Sequence, residues 1–178
     1  MDHLEAMVDK MLEEIPPIGE STVEIPNPAS GIILCNPKFP HNVGAAIRAA
    51  SCFSVPHVII TGNRVPIETP TKKGIRIPRE ERMKGYKDVT ITREDYCLRK
   101  LKDVVPVAVE VGLNSESLPN FIHPENAVYV FGPEDGSLER SELSQCHRFL
   151  SIPVRHCTNL SAAVYIVLYD RLCKSLNR

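Results

Sequence analysis

Three segments concentrate the side chains that could do chemistry, and each follows a short apolar run. In NPKFPHNVGAAIRAA, Asn42 lies at a loop–helix junction where it can cap the helix, and Gly44 allows close backbone approach in the first turn. Arg48 sits further along, amid Ala45, Ala46, Ala49 and Ala50. It reads either as a snorkelling surface cation or as a functional guanidinium, the group that binds phosphate with two parallel hydrogen bonds. In VYVFGPEDGSLERSEL, Gly132 permits a ligand against the backbone, Glu134 and Asp135 place two carboxylates at a strand end, and Ser137 could cap the following helix. Glu134 is well placed to pair with a cation such as Arg48. In SIPVRHCTNLSAAVYIVLYDRL, Thr158, Asn159 and Ser161 offer polar atoms beside the free N–H groups of a helix start.

The six cysteines, at 35, 52, 97, 146, 157 and 173, include no C-x-x-C pair, so neither a metal knuckle nor a dithiol redox site is expected. No metal is therefore expected in the site. Free thiols and the absence of a signal-peptide pattern point to a cytoplasmic protein.

These segments need elements to hold them. GIILC (31–35), HVIIT (57–61), DVTIT (88–92), VVPVAVEV (104–111), NAVYVFG (126–132) and RFLSIP (148–153) read as strands. Residues 43–53, 94–102, 137–146 and 159–176 read as helices. Strand–helix alternation predicts an α/β domain over 31–178, a mostly parallel sheet with helices on both faces. Ligands of such sheets bind outside the C-terminal strand ends, where the three segments fall. Ahead of it, Leu4, Met7, Val8, Met11, Leu12 and Ile15 mark one face of an amphipathic helix, and a Pro-rich linker reaches residue 30. With 178 residues, 43% hydrophobic and 24% charged, the chain suits one globular domain and excludes whole-chain disorder. No apolar run approaches the ~20 residues of a membrane span. A net charge of −1 argues against coating nucleic acid by bulk charge but leaves room for a local basic patch.

Together, in this order and spacing, the three segments resemble the motifs of the SPOUT superfamily, specifically SpoU-type RNA 2′-O-ribose methyltransferases. The first is similar to N-x-G-A-x-x-R-x-A (Asn42 to Ala50). The second is similar to F-G-P-E (Phe131 to Glu134) followed by an Ile152-Pro153 pair. The third is similar to N-[LV]-S before a helix ending L-Y-D, here Asn159-Leu160-Ser161 and Leu168-Tyr169-Asp170. The resemblance spans about residues 31–172.

It implies a C-terminal deep trefoil knot, S-adenosylmethionine as cofactor, RNA as substrate, with tRNA favoured over rRNA, and a homodimer. Carried over residue by residue, Arg48, Asn42, Glu134 and Asn159 would be catalytic, with Glu134 orienting Arg48. Val109, Gly132, Ile152, Cys157 and Leu160 would line the cofactor pocket. RNA would meet Lys38, Lys72, Lys73, Arg76 and Arg155, the basic stretch 72–87 otherwise being a solvated loop. Two positions depart from the family pattern: Gly136 precedes Ser137 where the second glycine usually adjoins the leucine, and Cys157 stands where serine is common. Two other classes of protein compete: a catalytically inactive methyltransferase-like module that only binds RNA or a nucleotide, and a hydrolase using Cys157 with His156 or His41.

Overall fold

The computed structural model describes residues 27–65, 88–112 and 114–177. The amphipathic N-terminal segment and the basic stretch with Lys72, Lys73 and Arg76 lie outside the described residues. The strands are β1 (Gly31–Leu34), β2 (His57–Ile60), β3 (Thr90–Arg93), β4 (Val105–Val109), β5 (Glu116–Ser117), β6 (Ala127–Phe131) and β7 (Arg148–Ser151). The helices are α1 (Pro40–Cys52), α2 (Arg140–Leu143) and α3 (Leu160–Leu176). The strands form one sheet in the order β3-β2-β1-β6-β4-β7-β5, and all its pairings are parallel.

A parallel sheet is buried on both faces, which is why its central strands read as continuous apolar runs. The two-residue alternation divides those runs between two cores. Ile32 and Leu34 of β1, Val107 of β4 and Ala127, Tyr129 and Phe131 of β6 face α1 and α3. Ile33, Ala108, Val128 and Val130 face the other way, toward Leu138, Cys146 and Leu98. On α3, Leu160, Ala163, Val164, Val167, Leu168 and Arg171 are buried at helical spacing, a stripe that packs on α1 and the sheet.

Three expectations change. Residues 94–102 form only a 3₁₀ turn, Cys97–Arg99, because Tyr96 just before it adopts a left-handed conformation at φ 59° that an α-helix cannot contain. The helix expected over 137–146 shortens to α2, and its N-cap is Glu139, not Ser137. Glu139 and Glu142 form a reciprocal capping box. The short strand β5 had no apolar signature to announce it.

Arg171 fixes α3 against the rest. It is 2% exposed. It donates to the carbonyls of Asn27, Pro124 and Glu125 at 2.8, 2.6 and 2.6 Å and to the Tyr129 hydroxyl at 3.2 Å. Arg171→Met should keep much of the packing while stranding those buried acceptors. The expected loss is about 3 kcal/mol in urea unfolding. An unchanged midpoint would show that the segments at 27 and 124–125 are held by other contacts.

Candidate active site

The site begins at the start of α1. Phe39 is the N-cap residue but offers no capping side chain, and Pro40 takes the first helical turn without needing an N–H partner. The N–H groups that lead into the helix are satisfied from outside it. Glu134, delivered by the end of β6, accepts the backbone N–H of Lys38 at 2.6 Å and of Phe39 at 3.3 Å. The same carboxylate accepts from Asn42 Nδ2 at 2.6 Å. Asn42 is 2% exposed. It sits inside the first turn and does not cap the helix, contrary to the sequence expectation; its side chain is spent sideways. Its Oδ1 accepts from Asn159 Nδ2 at 2.8 Å. Asn159 in turn caps α3, its Oδ1 accepting from Ser161 N at 2.9 Å, Ala162 N at 3.4 Å and Ser161 Oγ at 2.7 Å. One relay thus joins residues that lie 92 and 117 positions apart.

Burial works against a charge on Glu134. The hydrogen bonds from Asn42 and the backbone N–H groups of Lys38 and Phe39 outweigh it and hold its carboxyl below the ordinary glutamate value.

Beside this relay lies a cleft of about 150 Å³. Val109, Gly132, Ile152, Cys157 and Leu160, the five residues assigned to the cofactor, all line it, together with Glu134. Gly132 has a structural reason of its own. A Cβ there would come within 3.2 Å of Leu138 N, so its smallness admits the chain folding back toward α2 more than it admits a ligand. Sequence reasoning missed Glu110, which also lines the cleft and whose Oε2 accepts Leu138 N at 3.0 Å. Its place just past the end of β4 was the available signal. Cys157 is an exposed free thiol.

Arg48 is half-buried on α1 and has no hydrogen bond or ion pair among the described residues. It is not bonded to Glu134, whose oxygens are occupied by α1's first turn; the expected Glu134–Arg48 pairing does not form within this chain. Lys38 is exposed but engaged, 3.1 Å from Asp135. Asp135 also takes a two-pronged contact from Arg64 at 2.9 and 2.7 Å. The Arg64 and Lys38 hydrogen bonds hold the Asp135 carboxyl far below its usual range. Neither Arg64 nor Asp135 had been assigned a role. Arg155 is exposed in the β7–α3 connection. No cluster of three or more His, Cys, Asp or Glu able to hold a metal occurs among the described residues.

The sequence profile described as the SpoU rRNA Methylase family matches residues 30–169. The chain is 30% identical over 138 residues to the 23S rRNA (guanosine-2′-O-)-methyltransferase RlmB of Acinetobacter baylyi, covering 74% of this chain and 54% of that protein. It is 30% identical over 148 residues to the protein of the same name from Coxiella burnetii, covering 80% and 58%. The chain therefore spans about half the length of these relatives. Among solved structures, the A. aeolicus TrmH/SpoU tRNA modifying enzyme superposes with a TM-score of 0.69 at 19% identity, over 86% of this chain and 79% of that one. The SpoU methyltransferase AviRb of Streptomyces viridochromogenes, solved in complex with AdoMet, gives 0.67 at 17%, over 92% and 64%. These likenesses establish the fold.

Because Glu134 has a lower carboxyl pKa folded than unfolded, its contribution to stability is present above the unfolded value and is lost as pH falls through the folded one. Glu134→Gln keeps one acceptor and removes the charge. It should cost about 1 kcal/mol at neutral pH, the worth of a helix cap. That deficit should shrink toward zero as pH is lowered through the carboxylate range. Urea unfolding of both proteins across pH 3–7 measures it; a deficit independent of pH would mean that the charge contributes nothing.

Proposed function

The chain belongs to the SpoU rRNA methylase family, and we propose that it transfers a methyl group from S-adenosylmethionine to a ribose 2′-hydroxyl of RNA. The observation that carries this is the convergence of Val109, Gly132, Ile152, Cys157 and Leu160 on one cleft beside the Glu134–Asn42–Asn159 relay. The lining suits the cofactor's chemistry. Val109, Ile152, Leu160 and Ala163 offer apolar walls to a flat ring, while Glu110 and Glu134 offer negative charge to a ligand bearing a sulfonium and an ammonium. The bound cofactor supplies a methyl group already activated by the sulfonium, so no metal is needed to polarise it.

The chain's task is then alignment and charge control. Glu134 and Asn42 fix the mouth of the cleft, and Asn42 lies where a ribose hydroxyl could be held. Arg48 grips an RNA phosphate and stabilises the developing alkoxide. A guanidinium stays protonated in proteins, so the hydroxyl proton leaves to water or a phosphate oxygen. Arg48, unpaired among the described residues, acts in this reading on the site of a second copy, which makes the working unit a homodimer. The C-terminal trefoil knot belongs to the same reading, supported by family membership. Substrate choice follows the curated relatives, named for 23S rRNA, and these give no support to the tRNA preference expected from sequence. Lys72, Lys73, Arg76, Lys38 and Arg155 would add backbone affinity; Lys38 contributes less than expected because Asp135 already neutralises it.

The test is methyl transfer from labelled S-adenosylmethionine to total RNA. Arg48→Ala should lose about 10²–10³-fold in rate with unchanged cofactor affinity. Arg48→Lys, lacking the planar fork, should stay badly impaired, and raising pH should rescue neither. Near wild-type rates in both would remove Arg48 from the chemistry. RNA binding with no transfer by the wild type would instead favour the module that only binds.

Cofactor binding should survive chelator treatment. Calorimetry before and after chelation measures this, and a loss restored by zinc or magnesium would overturn the metal-free reading.

A further inference from the structure

Two carboxylates line the cleft beside the relay, and the relay uses only one of them. The other, Glu110, directly follows the last residue of β4 and joins the walls of the cleft. Its backbone N–H donates to Leu150 O at 2.9 Å, which ties it to the end of β7. Its Oε2 accepts Leu138 N at 3.0 Å, which ties it to the β6–α2 connection. Its Oε1 accepts the N–H of its neighbour Val111 at 3.1 Å. The backbone and both carboxylate oxygens are therefore held where the connections after β4, β6 and β7 meet.

The charges in the cleft are unbalanced. Its described lining residues include Glu110 and Glu134 but no Lys, Arg or His. The two acids are spent differently. Glu134 takes three donors, all from the entry and first turn of α1. Glu110 takes one backbone N–H on each oxygen, and no ion pair reaches it among the described residues. A carboxylate has about four lone-pair sites, so Glu110 keeps acceptor capacity as well as its charge. Its neighbours in the cleft include Val109, Val111, Ile152, Val154 and Leu160. A charge among apolar walls is screened less than one on an open surface.

This arrangement bears on one difference between two ligands. S-adenosylmethionine carries a sulfonium, whereas the product left after methyl transfer carries a neutral thioether at the same place. The adenosine, ammonium and carboxylate are common to both. A clamp that merely held the three connections together would serve the two equally. A fixed negative charge without a counter-ion does not.

We propose that Glu110 is a specificity-determining residue of this cleft, its carboxylate favouring the sulfonium-bearing methyl donor over the thioether product. The proposal rests on the reading of the cleft as the cofactor site. Glu110 forms no covalent bond and moves no proton in this role. Its charge makes the spent cofactor the weaker ligand, so fresh donor displaces it.

The experiment is calorimetry on the full chain with S-adenosylmethionine, S-adenosylhomocysteine and sinefungin, which bears an ammonium in place of the sulfonium. Glu110→Gln keeps an oxygen for Leu138 N and removes the charge. It should weaken S-adenosylmethionine and sinefungin about tenfold while leaving S-adenosylhomocysteine within about twofold. Glu110→Ala, which also abandons Leu138 N, should weaken all three, and the two charged ligands more. A measurement on the wild type needs no variant to fold. Raising sodium chloride from about 0.05 to 0.5 M should lower the ratio of S-adenosylmethionine to S-adenosylhomocysteine affinity, because salt screens a charge contact. Equal losses of all three ligands in Glu110→Gln would reduce Glu110 to a clamp and overturn the proposal while leaving the cofactor site standing. A wild-type ratio independent of salt would do the same. A wild-type chain that binds none of the three would sink the cofactor reading itself, and this proposal with it.

Discussion

The carboxylate of Glu134 is the constraint on which the site depends. An α-helix beginning with Phe39-Pro40 has no capping side chain of its own, so its first N–H groups must be met from elsewhere. Glu134 takes the N–H groups of Lys38 and the N-cap residue Phe39, at the entry to the helix, and also grips Asn42, which holds Asn159, which caps α3. Three stretches that are distant in sequence are thereby locked in register by groups whose first duty is to satisfy backbone donors. The geometry of the candidate site and the anchoring of the two helix starts are the same set of hydrogen bonds. Neither can be altered alone.

The sheet explains why the relay stands where it does. Every strand runs parallel, so every strand end that leads into a loop lies on one edge. The chain adds β2 and β3 on one side of β1 and places β6 and β4 on the other, and the order reverses between β1 and β6. Loops diverging from such a reversal leave a crevice. Here the β1–α1 and β6–α2 connections meet across it and divide it into two cavities. One is small and apolar with two carboxylates; the other is larger and rich in acceptors.

What the sequence disclosed follows the reach of each signal. The central strands were legible because burial on both faces fills Ile32–Leu34 and Ala127–Phe131 with apolar and aromatic residues, whereas the largely exposed β3 was legible only from its β-branched residues. The long final helix was legible from its 3.6-residue stripe. The stretch at 94–102 misled because propensity could not foresee a left-handed Tyr96. β5 was invisible because two polar residues on a sheet edge carry no period. At the site, the motifs identified Asn42, Glu134 and Asn159 but not their order of bonding. Residue types placed Glu134 opposite Arg48, the obvious cation. The structure gives Glu134 to neutral donors instead, because backbone N–H groups at a helix start already bring it partial positive charge.

That preference has an electrostatic consequence for the whole edge. The carboxylate next along, Asp135, draws in both Lys38 and Arg64, so the cations nearest the relay are already paired with an acid. Arg48 is left with its charge uncompensated among the described residues. A half-buried guanidinium without an acceptor is costly to keep unless something supplies one. An RNA phosphate brought against α1 would do so, and a second copy presenting its own cleft would bring that phosphate beside a methyl donor. On the proposed reading, the pairing of Lys38 and Arg64 with Asp135 would remove competing cations and leave the backbone of a bound RNA one strong anchor, Arg48.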